Sequence, residues 1–174
     1  MDSENITLEE FLANDYESYE YAKGELVPMS NPTMEHGAIS SNIHFLLNFH
    51  VRQRKSGKIY IAETTFQIGG SGRKPDVAFV SNARIPEEAR QASLIPPDLA
   101  IEVVSPTDKV YDVLEKVLEY LDAGVQMVWV IEPILKTVTV YRSQSDIKIL
   151  TFSDTLTGEE VVEDFQCNVA EIFE

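Results

Sequence analysis

A mixed α/β fold, a sheet flanked by helices, is the architecture this sequence predicts, and three features carry the prediction. Leu99-Ala100-Ile101-Glu102-Val103-Val104 and the stretch Met127 to Ile131 are short, nearly continuous apolar runs of the kind that form buried strands. Between them, residues 109–123 place Val110, Val113, Leu114, Val117, Leu118 and Leu121 at helical spacing, with Gly124 as the stop. A strand, helix, strand step needs a crossover, which sets a helix on the face of a sheet that is mixed rather than purely antiparallel.

The other elements follow from the N-terminus onward. Thr7-Leu8-Glu9-Glu10 is a capping box, so a short helix begins there. Tyr19-Glu20-Tyr21 and Glu25-Leu26-Val27 flank Ala22-Lys23-Gly24 and read as a hairpin. After Asn31-Pro32, the spacing of Ile39, Ile43, Leu46 and Leu47 predicts a long helix from Thr33 to about Lys55. Lys58 to Ile68 is rich in β-branched and aromatic residues and predicts a strand, which Gly69-Gly70-Ser71-Gly72 breaks before the apolar run Val77 to Val80. Pro96 and Pro97 precede the Leu99 strand and Ser105-Pro106 end it, while Glu132-Pro133 closes the strand at Met127. Thr137 to Tyr141 and Ile147 to Phe152 predict a trailing hairpin. With no repeat, low-complexity tract or linker, a single domain over 1–174 is expected: an N-terminal helix and hairpin (1–31), a core (33–133), and a C-terminal hairpin and tail (134–174).

Composition narrows the function classes. At 174 residues and 44% hydrophobic content the chain can bury one core. Its longest apolar stretches, such as Val125 to Ile131, fall far short of the ~20 residues of a membrane helix. The acidic start Met-Asp-Ser-Glu-Asn is unlike a secretory signal, so a cytoplasmic protein with no membrane partner is expected. Cys167, the only cysteine, has no thiol partner for a disulfide or a zinc site and is expected in the core. The net charge of −15 looks hostile to nucleic acid, but its distribution softens that. Residues 1–25 carry eight acids and one lysine, and 151–174 carry seven acids and no base, which leaves 14 acids against 13 bases in between. Arg52, Arg54, Lys55 and Lys58 cluster there, as do Arg73 and Lys74, yet no broad basic face is apparent.

The residues suited to chemistry are carboxylates. Asp76 follows Pro75 where the chain enters a strand, and Glu102 lies inside an apolar strand, where an acid is costly unless something pairs with it. Alternation puts Asp98, Ala100, Glu102 and Val104 on one face. Two readings stand: a hard, oxygen-rich site suited to Mg²⁺ or Mn²⁺, or a turn cap and a structural ion pair. Glu63, in the strand before Asp76, is either a further metal neighbour or a partner of Lys58 or Lys74. The glycines at 69, 70 and 72 are not followed by Gly-Lys-Ser or Gly-Lys-Thr, so a nucleotide loop fails and a flexible hairpin is expected. Arg73 and Lys74 beside it either contact a backbone phosphate or solvate a turn. His36, His44 and His50 lack metal-motif spacing, and Trp129 and Tyr120 read as core or interface residues.

Lys74-Pro75-Asp76-Val77-Ala78-Phe79-Val80, followed by Pro97-Asp98-Leu99-Ala100-Ile101-Glu102-Val103-Val104-Ser105-Pro106, resembles the PD-(D/E)XK nuclease superfamily. The closer resemblance is to the putative restriction endonuclease family of bacteria, long catalogued as a domain of unknown function and common in cyanobacteria. Gly24-Glu25-Leu26-Val27, Glu35-His36-Gly37, Lys116 with Tyr120, and Gly124-Val125 leading to Trp129-Val130-Ile131-Glu132-Pro133 extend it over nearly the whole chain. The resemblance implies a restriction-endonuclease-like core and metal-dependent hydrolysis of phosphodiester bonds of DNA. It also implies a homodimer, because related nucleases assemble so. By position, Asp76 and Glu102 are the acids that would hold Mg²⁺ or Mn²⁺, and Glu35 and His36 fall at the edge of the site. The superfamily's usual lysine stands two residues after the second acid, where this sequence has Val104. In this family a lysine on the following helix substitutes, which points to Lys116 as the residue that orients or deprotonates the attacking water. Periodicity alone places Lys116 roughly 130° from the centre of the apolar stripe, as a solvated lysine. A catalytically silent binding or assembly module, and a hydrolase of another phosphodiester such as RNA, are the alternatives.

Overall fold

The computed structural model describes residues 6–87 and 90–174. Helix α1 (Leu8–Ala13) starts at the expected capping box: the Thr7 hydroxyl accepts the Glu10 N–H at 3.2 Å, and Glu10 Oε2 accepts the Thr7 N–H at 2.7 Å. Strands β1 (Tyr19–Ala22) and β2 (Glu25–Pro28) form the N-terminal hairpin, with Lys23 and Gly24 at φ 54° and 86°, the two positive angles that a two-residue turn requires. Helix α2 (Met34–Arg54) is capped by Thr33, whose hydroxyl accepts the His36 N–H, and ends on Lys55 in the left-handed region. Both boundaries are those the sequence predicts.

The expected strand from Lys58 to Ile68 is two strands. β3 (Gly57–Ile61) pairs with β6 (Val77–Ser81), whereas β4 (Phe66–Ile68) turns away to pair with β5 (Ser71–Arg73). The break is a tight turn in which Thr64 N–H donates to Ile61 and Glu63 takes φ 63°, so Glu63 sits in a turn and not in a strand. The glycine run is a hairpin as expected, but Gly72 lies within β5. A Cβ there would stand 2.5 Å from the Phe11 ring, so this glycine lets α1 pack on the strand.

Next come β7 (Leu99–Val103), α3 (Val110–Asp122), β8 (Met127–Glu132), β9 (Thr137–Tyr141), β10 (Ile147–Leu150), β11 (Thr155–Thr157) and β12 (Gln166–Asn168), then a 3-10 turn at Val169–Ile172. The central six-stranded sheet has the order β10-β9-β8-β7-β6-β3, and its β7–β8 pair is parallel, bridged by α3. The sheet is therefore mixed, as predicted. The C-terminal hairpin extends it at one edge. A second sheet, β2-β1-β5-β4, holds the N-terminal hairpin, and β11 pairs with β12.

Two cores lie on the two faces. Ile39, Ile43, Leu47 and Val51 of α2 pack on Leu99, Ile101, Val103 and Trp129, together with the C-terminal Leu156, Cys167 and Ile172. On the opposite face, Val117 and Tyr120 of α3 pack on Ala78, Ala100, Val128 and Val130. Only half of the predicted apolar stripe faces this core: Val113, Val117 and Leu121 pack on it, whereas Val110, Leu114 and Leu118 are exposed. The helix is turned so that Lys116, Glu119 and Tyr120 reach polar partners around the sheet. No helix among the described residues is long and apolar enough to cross a membrane.

Candidate active site

A cleft of about 570 Å³ opens between the N-terminal hairpin, the first turn of α2 and the N-terminal half of α3, with the ends of β6 and β7 as its floor. The floor carries the two predicted acids. Antiparallel β6 and β7 set Val77 opposite Ile101, so Asp76, just before β6, and Glu102, just after Ile101, come to the same end of the pair, and both line the cleft. Asp76 Oδ2 accepts the Val103 N–H at 2.7 Å, and Oδ1 lies 3.2 Å from His36 Nε2. Glu102 is buried at 8% exposure; its Oε1 accepts the Tyr120 hydroxyl at 2.5 Å and its Oε2 lies 3.5 Å from Lys116 Nζ. The small side chains of Ala78 and Ala100 leave room for these groups beneath α3.

Lys116 therefore points into the cleft, contrary to its place on the helical wheel. Its ammonium sits 3.0 Å from Glu20 Oε2, and Glu20 is itself fixed. Glu20 Oε1 accepts the Lys74 N–H at 2.9 Å, and Oε2 accepts Arg73 Nη1 at 3.0 Å. Arg73 in turn forks onto Glu119 through Nε and Nη2, both at 2.9 Å. This gives a continuous chain of alternating charges, Glu119, Arg73, Glu20, Lys116, Glu102, running from β5 and β1 to the sheet floor.

Burial pushes the Glu102 carboxyl up to about 7; Lys116 and the Tyr120 hydroxyl pull it down, but the neighbouring charges of Asp76 and Glu20 push it further up. Burial by itself would weaken the Lys116 ammonium, yet Glu102 and Glu20 outweigh it and hold Lys116 protonated well above its ordinary value. His36 is raised mainly by its bond to Asp76, against burial. Glu20 is lowered in spite of its burial, by Lys116, Arg73 and the Lys74 N–H.

The remaining predicted residues divide. His36 joins Asp76, while Glu35 is exposed and does not line the cleft. Glu63 lines the cleft beside Lys74, whose Nζ donates to Glu63 Oε2 and to the Tyr16 carbonyl, each at 2.9 Å. Arg73 and Lys74, expected as phosphate contacts or turn residues, are buried at 5% and 3% and bonded to carboxylates. Both line the cleft, with their charges paired to Glu20, Glu119 and Glu63. Two groups escaped the sequence reading: Glu20, and the Tyr120 hydroxyl on Glu102. An acid between two tyrosines in a short strand was the signal for Glu20, but its partner Arg73 is too distant in the chain for pattern to find.

The donor set fits a hard cation. Among the described residues no group of three or more His, Cys, Asp or Glu side chains is arranged to hold a metal, so a closed zinc cage is not what this cleft offers. Two crowded carboxylates do suit Mg²⁺ or Mn²⁺, since Mg²⁺ commonly takes one or two carboxylates and keeps several waters.

A family model, Uma2, described as a putative restriction endonuclease, matches residues 6–170. Among solved structures, that of a putative nuclease belonging to DUF820 from Anabaena variabilis is similar, with 28% identity, 97% of each chain covered and a TM-score of 0.86. No curated protein matches the chain.

Proposed function

The chain belongs to the Uma2 family of putative restriction endonucleases, and from that membership and the cleft we propose that it hydrolyses phosphodiester bonds of DNA, using Mg²⁺ or Mn²⁺. The observation that carries this reading is the convergence of Asp76 and Glu102 on one cleft, with the Lys116 ammonium 3.5 Å from Glu102.

In this reading Asp76 and Glu102 would hold the cation, which when bound would lower the pKa of water and offset charge on the phosphoryl oxygens. Asp76 is oriented for that role by the Val103 N–H, and Glu102 by the Tyr120 hydroxyl. Lys116, held as an ammonium, is a donor. It orients the attacking water or a phosphoryl oxygen and offsets charge that develops there, and its place takes over from the strand lysine replaced by Val104. His36 steadies Asp76 from the edge of the site. Assembly as a homodimer belongs to the same reading and rests on the family resemblance.

The test is Mn²⁺ titration by calorimetry on the wild type and Asp76→Ala, with cleavage of plasmid DNA followed in the same buffer. Binding and cleavage that both vanish in the variant support a nuclease using this site. Mn²⁺ binding without cleavage of DNA sinks the DNA reading, and adding an RNA substrate then separates a different phosphodiesterase from a silent module.

A further inference from the structure

We propose that Glu20 is a positioning residue for Lys116: its buried carboxylate holds the ammonium beside Glu102 while keeping it from closing onto that acid. The inference rests on the nuclease reading above for its catalytic consequence, but its structural basis is independent of it.

Glu20 lies outside the sequence elements that carry the two acids and the lysine, on β1 of the second sheet. Its carboxylate is 2% exposed and makes contacts on both oxygens. The Lys74 N–H fixes Oε1, and Arg73 Nη1 fixes Oε2, on which Lys116 also bears. Arg73 cannot swing, because Glu119 grips its guanidinium with two parallel bonds. The carboxylate that receives Lys116 is therefore set by backbone and fork geometry and not by the lysine.

Lysine is a point charge on a flexible four-carbon stem, so its position depends on what anchors it. With Glu20 present, Nζ lies 3.0 Å from Glu20 and 3.5 Å from Glu102. Remove the Glu20 charge and Glu102 is left as the carboxylate within reach. The ammonium then closes onto the oxygen that the cation would need, and the site loses both an open ligand and a correctly placed donor. This gives the second sheet a function: β1 and β5, paired at Tyr21 and Gly72, bring Glu20 and Arg73 together at the edge of the cleft.

The test is a double-mutant cycle between Glu20→Gln and Lys116→Met, read by Mn²⁺ affinity and by plasmid nicking. Glu20→Gln should lower kcat by about tenfold or more, part of the range that a positioned proton-handling group contributes, with KM for DNA within about twofold. It should also weaken Mn²⁺ binding. In the Lys116→Met background both effects should largely disappear. An effect of equal size with and without Lys116 overturns the proposal, because a purely structural or long-range electrostatic role of Glu20 would survive the loss of the lysine. If Glu20→Gln does not fold, Glu119→Gln, which releases only the Arg73 fork, should give a smaller loss with the same dependence on Lys116; independence from Lys116 again overturns it. Wild-type protein that binds Mn²⁺ but cleaves nothing overturns the nuclease reading alone, and the affinity cycle still decides the role of Glu20.

Discussion

If Asp76 and Glu102 hold the cation as proposed, the Glu102 carboxyl, raised to about 7 chiefly by burial, should make cation binding depend on pH across the neutral range. A carboxyl must give up its proton to ligate a metal. With that value, Glu102 is ionised to roughly one-tenth at pH 6, one-half at pH 7 and nine-tenths at pH 8, so Glu102 by itself should make the apparent Mn²⁺ affinity fall about tenfold from pH 8 to pH 6. Glu102 should contribute about half a proton released per Mn²⁺ at pH 7. An ordinary glutamate, at ~4.3, would be ionised throughout and would give neither effect. His36 acts in the same direction: its raised value keeps more of it cationic beside Asp76 as the pH drops, which opposes a cation there. His36→Asn therefore leaves only the Glu102 share of the slope. Calorimetric titration at pH 6, 7 and 8, in two buffers of different ionisation heat, measures both affinity and proton release. Equal affinity at pH 6 and 8 with no proton release at pH 7 would refute the reasoning, since it would mean that Glu102 is already ionised or is not a ligand.

Tyr120→Phe removes the hydroxyl that donates to Glu102 and helps keep its proton off, so the pH at which Mn²⁺ binding is half-lost should move upward. The same change leaves a buried acceptor short of a partner and should cost about 1–3 kcal/mol in a urea melt. Asp98, 2% exposed, accepts the Ser81 N–H, Arg84 Nη1 and Gln126 Nε2; burial pushes its carboxyl up, but Ser81 and Arg84 outweigh that and lower it. Asp98→Ala should cost about 2–4 kcal/mol, toward the lower end for a broken buried pair because Arg84 is partly solvated. Since the folded value is depressed, that stability is present above the unfolded carboxyl pKa of ~3.9 and is lost as pH falls through the folded value. The gap between wild type and variant should thus be full at neutral pH and shrink in acid; a gap that widens in acid contradicts the assignment. Cys167 is buried and its thiol is pushed up to about 12 by burial, with Glu171 adding to it. It should stay unreactive toward a disulfide reagent at pH 8 until urea unfolds the chain, and rapid labelling of the native protein would count against its place in the core.

What the sequence by itself determined was local or strongly periodic. The Thr7 capping box, the extent of α2 from Thr33 to Lys55, and the β7, α3, β8 crossover were legible because each is set by residues within a few positions of one another. The acids Asp76 and Glu102 were legible for a related reason: a charge in an apolar strand is costly, so it announces a partner without naming it. Tertiary structure decided the partners. β3 and β4 separate within one β-rich stretch because they join different sheets, which no propensity encodes. Helix α3 turns Lys116 and Tyr120 inward beside Val113, Val117 and Leu121, where they meet Glu102 of β7 and Glu20, the latter far away in the chain. Likewise Arg73 and Lys74, a basic pair beside a glycine loop in the sequence, become the buried counter-charges of Glu20, Glu119 and Glu63. Periodicity shows which side chains are able to be buried. Only the packed chain shows which charges meet, because Coulomb energy and desolvation depend on distances in space that separation along the sequence does not fix.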